Sequence, residues 1–373
     1  MNRKIIGTVP FLMIAFVAVF WPCRLSAESP DAILKVGVIL PLSGIFSDYG
    51  MAMKNGISLA QEKNQEKAPG IRFIFEDAQA SSHGAIAAFN KLVDTDRVKL
   101  VYVFGVQFSQ ALAPLARARK IPLVSQCVSD EVARNNPFVL RFMNHAGEYT
   151  AVTLDYLRRS GFNRIEVITS EQSYTEEMYR ALEGALAAPL SLKRAERYPA
   201  GETDFRATIS RIKNNPPDAL GVYLLPGQIS SFYRQLREQY ISLPTFGVFT
   251  FDSKSEIGRA EGAMEGVVFP THHVEGAFRR EYLDRFQSDA QLTWAALAYE
   301  FARALAPLSG KLAKSSDGES VIGILSRMPP ATDSAAGRFE FAHDERIGAY
   351  FKFPLVLKVI RSNSIEEVSH PAP

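Results

Sequence analysis

Side chains that could hold a small polar molecule cluster in three loops of the first half of the chain. These loops are 41–50 with Tyr49, 105–110 with Phe108 and Ser109, and 125–129 with Ser125, Cys127 and Ser129. Each loop follows a short apolar run that is typical of a buried β-strand. Hydroxyl groups and unpaired backbone N–H groups at successive strand ends could form a cradle for a carboxylate. Each serine could equally be a helix N-cap that contacts no ligand.

No sequence signature of catalysis accompanies these loops. The chain contains no G-x-S-x-G, G-x-x-x-x-G-K-[ST], G-x-G-x-x-G or C-x-x-C pattern. The adjacent His272 and His273 would point to opposite faces of an extended segment, which disfavours a shared metal. Glu76 and Asp77 could form a carboxylate pair, although capping a turn is the commoner role at a strand end. The sequence therefore predicts a protein without enzymatic activity, metal or cofactor.

The three loops connect elements that alternate along the chain. The predicted strands are Val36–Leu40, Ile71–Glu76, Leu100–Phe104 and Ile121–Ser125 in the first half, and Ile165–Thr169, Arg194–Tyr198 and Leu220–Leu225 in the second. The helices predicted between them include Gln110–Lys120, Glu148–Arg159, Glu176–Ala187 and Phe205–Lys213. Apolar strands that alternate with helices imply a parallel sheet with helices on both sides. The sequence therefore predicts an α/β fold with two Rossmann-like lobes, each built on a parallel-sheet core.

The C-terminal part of the chain has a different pattern. Its predicted elements are the helices Phe278–Phe286 and Thr293–Leu308, and the strands Arg338–Ala342 and Tyr350–Ile360 joined by a turn over His343–Gly348. The two strand patterns alternate between apolar and polar residues, and turn residues separate them. This arrangement predicts one antiparallel β-hairpin at the end of the chain.

The first residues predict export from the cytoplasm. Arg3 and Lys4 precede an apolar run from Ile5 to Phe20, and Leu25-Ser26-Ala27 offers a small-residue cleavage site. A charged, then apolar, then small-residue order is typical of a secretory signal peptide. We therefore expect cleavage after Ala27 and a periplasmic location.

Two alternatives to a cleaved signal peptide are a retained membrane anchor and a lipid anchor. The apolar run is about 16 residues long and Pro22 follows it, whereas a spanning helix needs about 20 residues. A lipid anchor at Cys23 is disfavoured because Trp21 and Pro22 stand where such sites prefer small residues.

Composition bounds the class of protein further. Removal of residues 1–27 takes away three basic residues and no acidic one, so the formal charge changes from +2 to −1. A basic surface for nucleic acid is therefore not predicted. Cys127 is then the single cysteine, so the chain has no internal disulfide and depends on its hydrophobic core. The remaining length is sufficient for two domains, each with its own core.

Several short motifs occur in an order that is typical of one known family. They are Val36–Gly44, Tyr49-Gly50, Asn55-Gly56, Leu59-Ala60, Glu76-Asp77, Ile121–Ser125, Pro217–Ala219, Glu265–Val268 and Gly337–Phe341. With them the chain, from about Leu34 to Ile360, resembles the type I periplasmic solute-binding proteins, in particular the branched-chain amino-acid (leucine/isoleucine/valine) binding-protein family of ABC transporters. The resemblance implies a signal peptide over 1–27, a first lobe over 28–146 plus 271–335, and a second lobe over 147–270 plus 336–373. It also implies a three-crossover hinge, near Ala146, Pro270 and Ala335.

The resemblance also implies a ligand site in the cleft between the lobes. By position, Ser109 or its neighbours Val106 to Phe108, and Cys127 with Ser129, match the places that hold the ligand carboxylate in amino-acid-binding members. Tyr49 and Tyr174 match aromatic residues that line the cleft from opposite lobes. An exposed tyrosine on a helix surface is the alternative for Tyr174.

The second half departs from the pattern of amino-acid binders. The acidic partner of a ligand ammonium falls near 249–252, where only Asp252 could serve. Leu225 stands where an aromatic residue is frequent, and Asn144–Ala146 stand where an acidic residue is common. A buried ammonium without a partner is strongly disfavoured. We therefore expect a solute with one carboxylate, or an equivalent acceptor, and an apolar or aromatic rather than α-amino end.

The leading hypothesis is a substrate-binding protein of an ABC transporter. It would close two lobes around a small carboxylate-bearing solute, either an amino acid or an aromatic or aliphatic acid, and deliver it to a permease in the inner membrane. The alternative is a regulatory or interaction protein of the cell envelope that kept the fold without transport. Capture of a cell-wall enzyme without binding of any small molecule would favour that alternative.

Overall fold

Two separate β-sheets organise the part of the chain that the computed structural model describes, which comprises Met1 and residues 33–64, 70–329 and 334–368. The strands are β1 (Leu34–Leu40), β2 (Ile71–Asp77), β3 (Leu100–Phe104), β4 (Leu123–Gln126), β5 (Val139–Arg141), β6 (Arg164–Ser170), β7 (Ser191–Tyr198), β8 (Ala219–Tyr223), β9 (Thr245–Phe246), β10 (Val268–His272), β11 (Glu340–Asp344), β12 (Gly348–Lys352), β13 (Leu355–Arg361) and β14 (Ser364–Glu367). One sheet has the order β11-β12-β5-β4-β3-β1-β2, and the other has the order β14-β13-β10-β9-β8-β6-β7. The predicted signal peptide and Cys23 lie outside the described residues.

Helices flank both sheets. They are α1 (Ser47–Asn64), α2 (Ser82–Asp94), α3 (Val106–Arg119), α4 (Ala146–Arg159), α5 (Ser173–Ala185), α6 (Arg206–Asn214), α7 (Gln228–Glu238), α8 (Lys254–Arg259), α9 (Gly276–Phe286), α10 (Leu292–Leu305), α11 (Ser309–Lys314) and α12 (Gly318–Leu325), with short 3-10 helices at Phe249–Phe251 and Ala306–Leu308. Helices α1–α3 and α9–α12 accompany the first sheet and form lobe 1 with it, whereas α4–α8 and the second sheet form lobe 2. The predicted α/β fold with two parallel-sheet lobes is confirmed.

Parallel pairing brings the carboxyl ends of neighbouring strands to one edge of each sheet. In lobe 1, β3 lies between β1 and β4, and Phe104 at the end of β3 is in register with Gln126 at the end of β4. Strands β1, β3 and β4 are largely buried because helices cover them. The loops that follow β1, β3 and β4 therefore emerge side by side, as the sequence predicted.

Helices α1 and α10 pack closely because a glycine faces the contact. A side chain at Gly56 would place its Cβ 2.2 Å from the carbonyl oxygen of Ala295, so only glycine permits this approach. The contact brings Tyr49 of α1 next to Trp294 of α10, with ring centroids 5.9 Å apart. Packing between two helices thus positions two aromatic rings of the candidate site.

The prediction for the C-terminal tail was wrong in its number of hairpins. The tail contains two antiparallel hairpins rather than one, and they belong to different sheets. Pro354 divides the predicted strand over 350–360, because proline cannot donate a hydrogen bond to a sheet ladder.

The lobe boundaries change accordingly. Strands β11 and β12, which were assigned to the second lobe with the rest of 336–373, pair with β5 in the first sheet. The chain therefore makes its third crossing at Phe353-Pro354 and not near Ala335. The first two crossings lie between β5 and α4 and between β10 and α9, close to the expected Ala146 and Pro270.

Asn144 connects all three crossing segments through its side-chain amide. Its Nδ2 donates to the carbonyl oxygen of Phe353 at 3.0 Å, and its Oδ1 accepts from the backbone N–H of Phe353 at 3.1 Å. The ring nitrogen Nε2 of His272 lies 3.1 Å from the same Oδ1. Burial, followed by the positive charge of Lys358, lowers the pKa of His272 to about 3, so this histidine is neutral near pH 7.

Candidate functional site

A cavity lies between the two lobes at the carboxyl ends of the strands. The space between protein atoms at this place is about 590 Å³ when open solvent is included. Its lining residues are Pro41, Phe46, Tyr49, Phe104, Gly105, Val106, Gln107, Phe108, Gln126, Cys127, Val128, Met143 and Trp294 from lobe 1 and the first crossing, and Gln172, Tyr174, Phe249 and Thr250 from lobe 2. In α/β proteins, ligands commonly bind at this edge of the sheet.

Lobe 1 contributes a group of packed aromatic rings to the cavity. Tyr49 and Phe104 are nearly parallel, at an interplanar angle of 17° and a centroid distance of 6.1 Å. Phe104 and Trp294 make an edge-to-face contact, with ring centroids 5.1 Å apart. Such mutual contacts hold the rings in fixed orientations, so this wall is preorganised for an apolar or aromatic group.

Lobe 2 closes the cavity with two further rings. Tyr174 donates a hydrogen bond from its hydroxyl to the carbonyl oxygen of Leu224 at 2.9 Å, which fixes the ring. Phe249 lies 6.0 Å from Tyr174 and 5.5 Å from Trp294 of lobe 1, measured between ring centroids. Tyr49 and Tyr174 therefore line one cavity from opposite lobes, in the arrangement that the sequence predicted.

The polar groups of the cavity wall are mainly amides. Gln172 of lobe 2 donates from Nε2 to Oε1 of Gln107 in lobe 1 at 3.4 Å, so one hydrogen bond joins the lobes beside the cavity. Gln126 accepts a hydrogen bond from the Tyr102 hydroxyl through Oε1, while its Nε2 is buried without a partner. No side chain caps the N-terminus of α3 at Gly105, which leaves first-turn N–H groups available.

The cavity wall carries no Asp, Glu, Lys, Arg or His among the described residues that line it. Burial raises the pKa of the Tyr49, Tyr174 and Cys127 side chains, so all three are neutral near pH 7. The surface that faces the cavity is almost entirely apolar. The arrangement can therefore bind a ring or aliphatic group, but it offers a charged group only hydrogen bonds and helix dipoles.

The predicted serines lie behind the cavity wall. Ser125 donates its hydroxyl hydrogen bond to Ser109 at 2.6 Å and lies 3.1 Å from the sulfur of Cys127. Four residues of these two loops were predicted to contact the ligand. Phe108 and Cys127 line the cavity, whereas Ser109 and Ser129 do not. Both serines are fully buried, and the Ser129 hydroxyl has no partner. The expectation that these hydroxyls form the lining of an oxyanion cradle is not met in this conformation.

Leu225 and Asp252 also lie outside the cavity lining. Leu225 packs into the hydrophobic core, and its backbone N–H donates to Oε1 of Gln228 at 3.2 Å. Asp252 faces a different neighbourhood, where its carboxylate contacts Lys358 at 3.0 Å. A carboxylate that already has a buried cation cannot serve as an unoccupied partner for a ligand ammonium.

Sequence reasoning did not select several residues of the wall. Gln126, Gln172, Phe104 and Trp294 are the main ones. Phe104 ends a strand whose limits were predicted correctly, and Gln126 lies in the selected loop 125–129, so the missing information was which side chains face the cavity. Trp294 carries no local signal, because an aromatic residue in an apolar helix is indistinguishable from a core residue.

Neither membrane nor metal features are found in the described part of the chain. None of its helices is both long and apolar enough to cross a bilayer. The same residues contain no group of three or more His, Cys, Asp and Glu side chains that could hold a metal ion.

Comparison with known proteins gives consistent matches. The family described as "Periplasmic binding protein" matches residues 33–350. Among curated proteins, the Leu/Ile/Val-binding protein homolog 6 of Brucella abortus (strain 2308) is 23% identical over 203 residues, which cover 52% of this chain and 52% of that protein. The chain thus spans about half the length of the curated relatives that it matches.

Solved structures of low sequence identity share the fold. A leucine-binding protein from Thermotoga maritima superposes with a TM-score of 0.79 at 22% identity, covering 90% of this chain and 98% of that one. An ABC transporter solute-binding protein from R. palustris, solved with benzoate, gives a TM-score of 0.77 at 17% identity, covering 90% and 95%. A branched-chain amino-acid transporter substrate-binding protein from Streptococcus pneumoniae, solved with isoleucine, gives a TM-score of 0.77 at 18% identity. The match covers 90% of this chain and 99% of that one.

Proposed function

The chain belongs to the periplasmic binding protein family, and we propose that it is the extracytoplasmic substrate-binding protein of an ABC transporter for a small aromatic or aliphatic carboxylate. The observation that carries the proposal is the cavity between the lobes, which combines aromatic rings, glutamine amides and the uncapped N-terminus of α3. Relatives of this fold were solved with benzoate and with isoleucine, so both acids and amino acids are precedents.

The apolar end of the solute lies among the rings of the two lobes. Tyr49, Phe104 and Trp294 form one wall, and Phe249 and Tyr174 form the other. A ring between such walls gains both burial and edge-to-face contacts, and an aliphatic chain gains burial alone. Aromatic acids are therefore expected to bind more tightly than aliphatic acids of similar size.

The carboxylate end lies at the N-terminus of α3. First-turn N–H groups and the helix dipole favour an anion there by about 0.3–1 kcal/mol, without a full countercharge. An α-ammonium group would have no acidic side chain among the described residues of the wall, and Asp252 is paired with Lys358. The cavity therefore favours acids without an amino group.

Closure of the lobes completes the site in this proposal. Gln107 and Gln172 meet across the cleft, and Phe249 of lobe 2 reaches Trp294 of lobe 1. A solute that contacts both lobes stabilises the closed state by its differential affinity for that state. The closed form would then dock on a permease in the inner membrane. N-terminal sequencing of exported protein that begins near Glu28, rather than at Met1, would support the periplasmic placement.

Calorimetric titration tests the solute class. Protein freed of co-purified solute by unfolding and refolding is titrated with benzoate, isovalerate, leucine and valine. We expect benzoate to bind at least about tenfold more tightly than leucine, because an unpaired buried ammonium costs more than 1.4 kcal/mol. Phe249→Leu should weaken the binding of benzoate more than that of isovalerate. Tyr240→Leu, at an exposed tyrosine, should change neither affinity. Micromolar binding of leucine with no response to the acids would refute the proposed solute class.

A further inference from the structure

Gln126 is one of the described side chains of the cavity wall, with Tyr49, Thr250 and Trp294, that carry a buried polar atom without a hydrogen-bond partner, and it is the one amide among them. It is the last residue of β4, it is fully buried, and it lies beside Phe104 at the carboxyl edge of the sheet. Its Oε1 accepts a hydrogen bond from the Tyr102 hydroxyl, and its Nε2 has no partner. Buried amide donors nearly always have an acceptor, so a missing partner is expected on the cavity side.

The orientation of this amide follows from Tyr102. The Tyr102 ring is fully buried and stacks on Phe301 with centroids 4.4 Å apart, so its hydroxyl position is fixed. In the observed orientation the Tyr102 hydroxyl donates to Oε1, whereas turning the amide over would make Nε2 the donor to the Tyr102 oxygen and leave Oε1 and the hydroxyl hydrogen without that bond. The observed orientation leaves only Nε2 unsatisfied, so Gln126 presents a donor rather than an acceptor.

We propose that Gln126 is a specificity-determining residue, whose Nε2 donates a hydrogen bond to an acceptor oxygen of the bound solute. Tyr102, which does not line the cavity, is a positioning residue that holds the amide in this orientation. The inference rests on the proposed function because it needs a solute in this cavity. It deepens that function by naming the group that reads the polar end of the solute.

A neutral donor at this position selects for acceptor oxygens. Hydrogen bonds from an amide to a carboxylate are stronger than those to a neutral carbonyl, so a carboxylic acid is preferred over the corresponding amide. Asp, Glu, Lys, Arg and His are absent from the described lining, so no stronger charge in the wall competes with Gln126. A carboxylate side chain at position 126 should reverse the preference, because it repels an acid and accepts from an amide NH₂ group.

The test compares benzoate with benzamide, which share a ring and differ in their polar end. The exported protein and its variants Gln126→Leu and Gln126→Glu are titrated with both probes by calorimetry at pH 7. We expect the unmodified protein to bind benzoate more tightly than benzamide. Gln126→Leu should weaken benzoate by about 10- to 100-fold, as expected for the loss of a hydrogen bond to a charged group. Gln126→Glu should weaken the binding of benzoate further than Gln126→Leu does. It should weaken the binding of benzamide less than that of benzoate, so that the order of the two affinities reverses.

Tyr102→Phe tests the positioning role separately. It removes the hydroxyl behind Gln126 and leaves the cavity wall unchanged. The freed amide can then turn, so the ratio of benzoate to benzamide affinity should fall by about 3- to 10-fold, a small part of a charge-assisted hydrogen bond. A merely structural role for Tyr102 would lower the unfolding temperature and leave that ratio unchanged.

Gln61→Leu is the matched control. Gln61 lies on α1 outside the cavity, and its side chain donates to the carbonyl oxygen of Ile71 at 3.4 Å. Both affinities should remain within about twofold of those of the unmodified protein, well below the effect of a lost hydrogen bond. Thermal unfolding of every variant establishes that it is folded, and if Gln126→Leu fails to fold, the ratios for Gln126→Glu and Tyr102→Phe decide the question.

The possible outcomes separate the inference from the proposed function. Benzoate binding that Gln126→Leu leaves unchanged overturns the role of Gln126 while the proposed function stands. Binding of leucine instead of benzoate overturns the solute class, and the same variants are then titrated with leucine, where an unchanged affinity overturns the inference and a tenfold loss supports it. Binding of none of these probes overturns both.

Discussion

Asp252 is buried between lobe 2 and the start of α10, and its carboxylate has three partners within the protein. Oδ2 contacts Lys358 at 3.0 Å and accepts hydrogen bonds from Thr271 at 3.2 Å and from Thr293 at 2.5 Å. Burial alone would raise its pKa, but Lys358 and the two hydroxyls lower the pKa below its ordinary value. The residue that sequence reasoning assigned to a ligand ammonium therefore joins the two lobes.

Substitution of Asp252 tests this structural role. Asp252→Asn leaves the buried ammonium of Lys358 without its countercharge, so we expect the free energy of unfolding at pH 7 to fall by about 3–5 kcal/mol. Because the folded pKa is lowered, the stabilisation is present above the unfolded pKa and is lost as the pH falls through the folded value. The difference between variant and unmodified protein should therefore shrink toward pH 2 in denaturant titrations.

Asp289→Asn is the matched control for this substitution. Asp289 pairs with Lys254, whose side chain is half exposed, and such pairs contribute about 0–1 kcal/mol. Equal losses for the two variants at pH 7 would contradict the assignment of Asp252.

The residues of the site were only partly predictable from sequence. Tyr174 came from the family resemblance, while the strand-end rule found Tyr49, Phe108 and Cys127, because parallel strands bring their loops to one edge. It could not tell which way each side chain points. Ser109 and Ser125 bond to each other behind the wall, a choice that depends on rotamers and neighbours rather than on chain order.

At the scale of elements, periodicity predicted most strands and helices of both sheets. The clearest error concerns the tail, where one continuous alternating pattern over 350–360 hides a change of sheet at Pro354. Alternation records which residues are half-buried, but it carries no information on the partner strand. The short strand β9 was missed because two residues are too few for a period.

The contact between α1 and α10 gives a prediction at this scale. Gly56→Ala places a Cβ 2.2 Å from the carbonyl oxygen of Ala295, so the helices must separate. We expect a loss of about 1–3 kcal/mol in the free energy of unfolding, as for other overpacked cores. Separation also moves Trp294 away from Tyr49, so the affinity for benzoate should fall.

Gly184→Ala provides the control for the helix effect. Gly184 lies in α5, and a Cβ added there would meet no atom within 4 Å, so alanine should be neutral or stabilising because of its helix propensity. Chemical denaturation of both variants measures the difference, and a stability of Gly56→Ala equal to that of the unmodified protein would show that the helix contact is not tight.

The whole molecule combines two lobes whose relative position depends on three crossing segments. Two of the three crossings that the family resemblance implied lie within a few residues of those in the structure, while the third lies in the tail at Phe353-Pro354 and not near Ala335. Asn144 could not be recognised as their common contact from sequence. Its partners at His272 and Phe353 are far away along the chain, and only the folded hinge brings them together.

Removal of the Asn144 amide should loosen this hinge. Asn144→Ala deletes both hydrogen bonds to the backbone of Phe353 and leaves these buried groups without that partner, which costs about 1–3 kcal/mol for each unsatisfied group. It also removes the contact with His272, whose Nε2 keeps the Tyr149 hydroxyl at 3.0 Å. The closed arrangement loses this support, so open states gain population. We expect a lower unfolding temperature, a larger radius of gyration for the solute-free protein in small-angle X-ray scattering, and weaker binding of benzoate.

Asn136→Ala separates hinge opening from a simple loss of stability. Asn136 donates to the carbonyl oxygen of Ala113 at 2.8 Å and accepts from the backbone N–H of Phe138 at 3.2 Å, so its hydrogen bonds stay within lobe 1. This variant should also unfold at a lower temperature, but its scattering profile should match that of the unmodified protein, because the crossing segments keep their contacts. If Asn144→Ala likewise scatters as the unmodified protein does, then Asn144 stabilises the fold without restraining the hinge, and closure depends on the contacts between the lobes at the cavity itself.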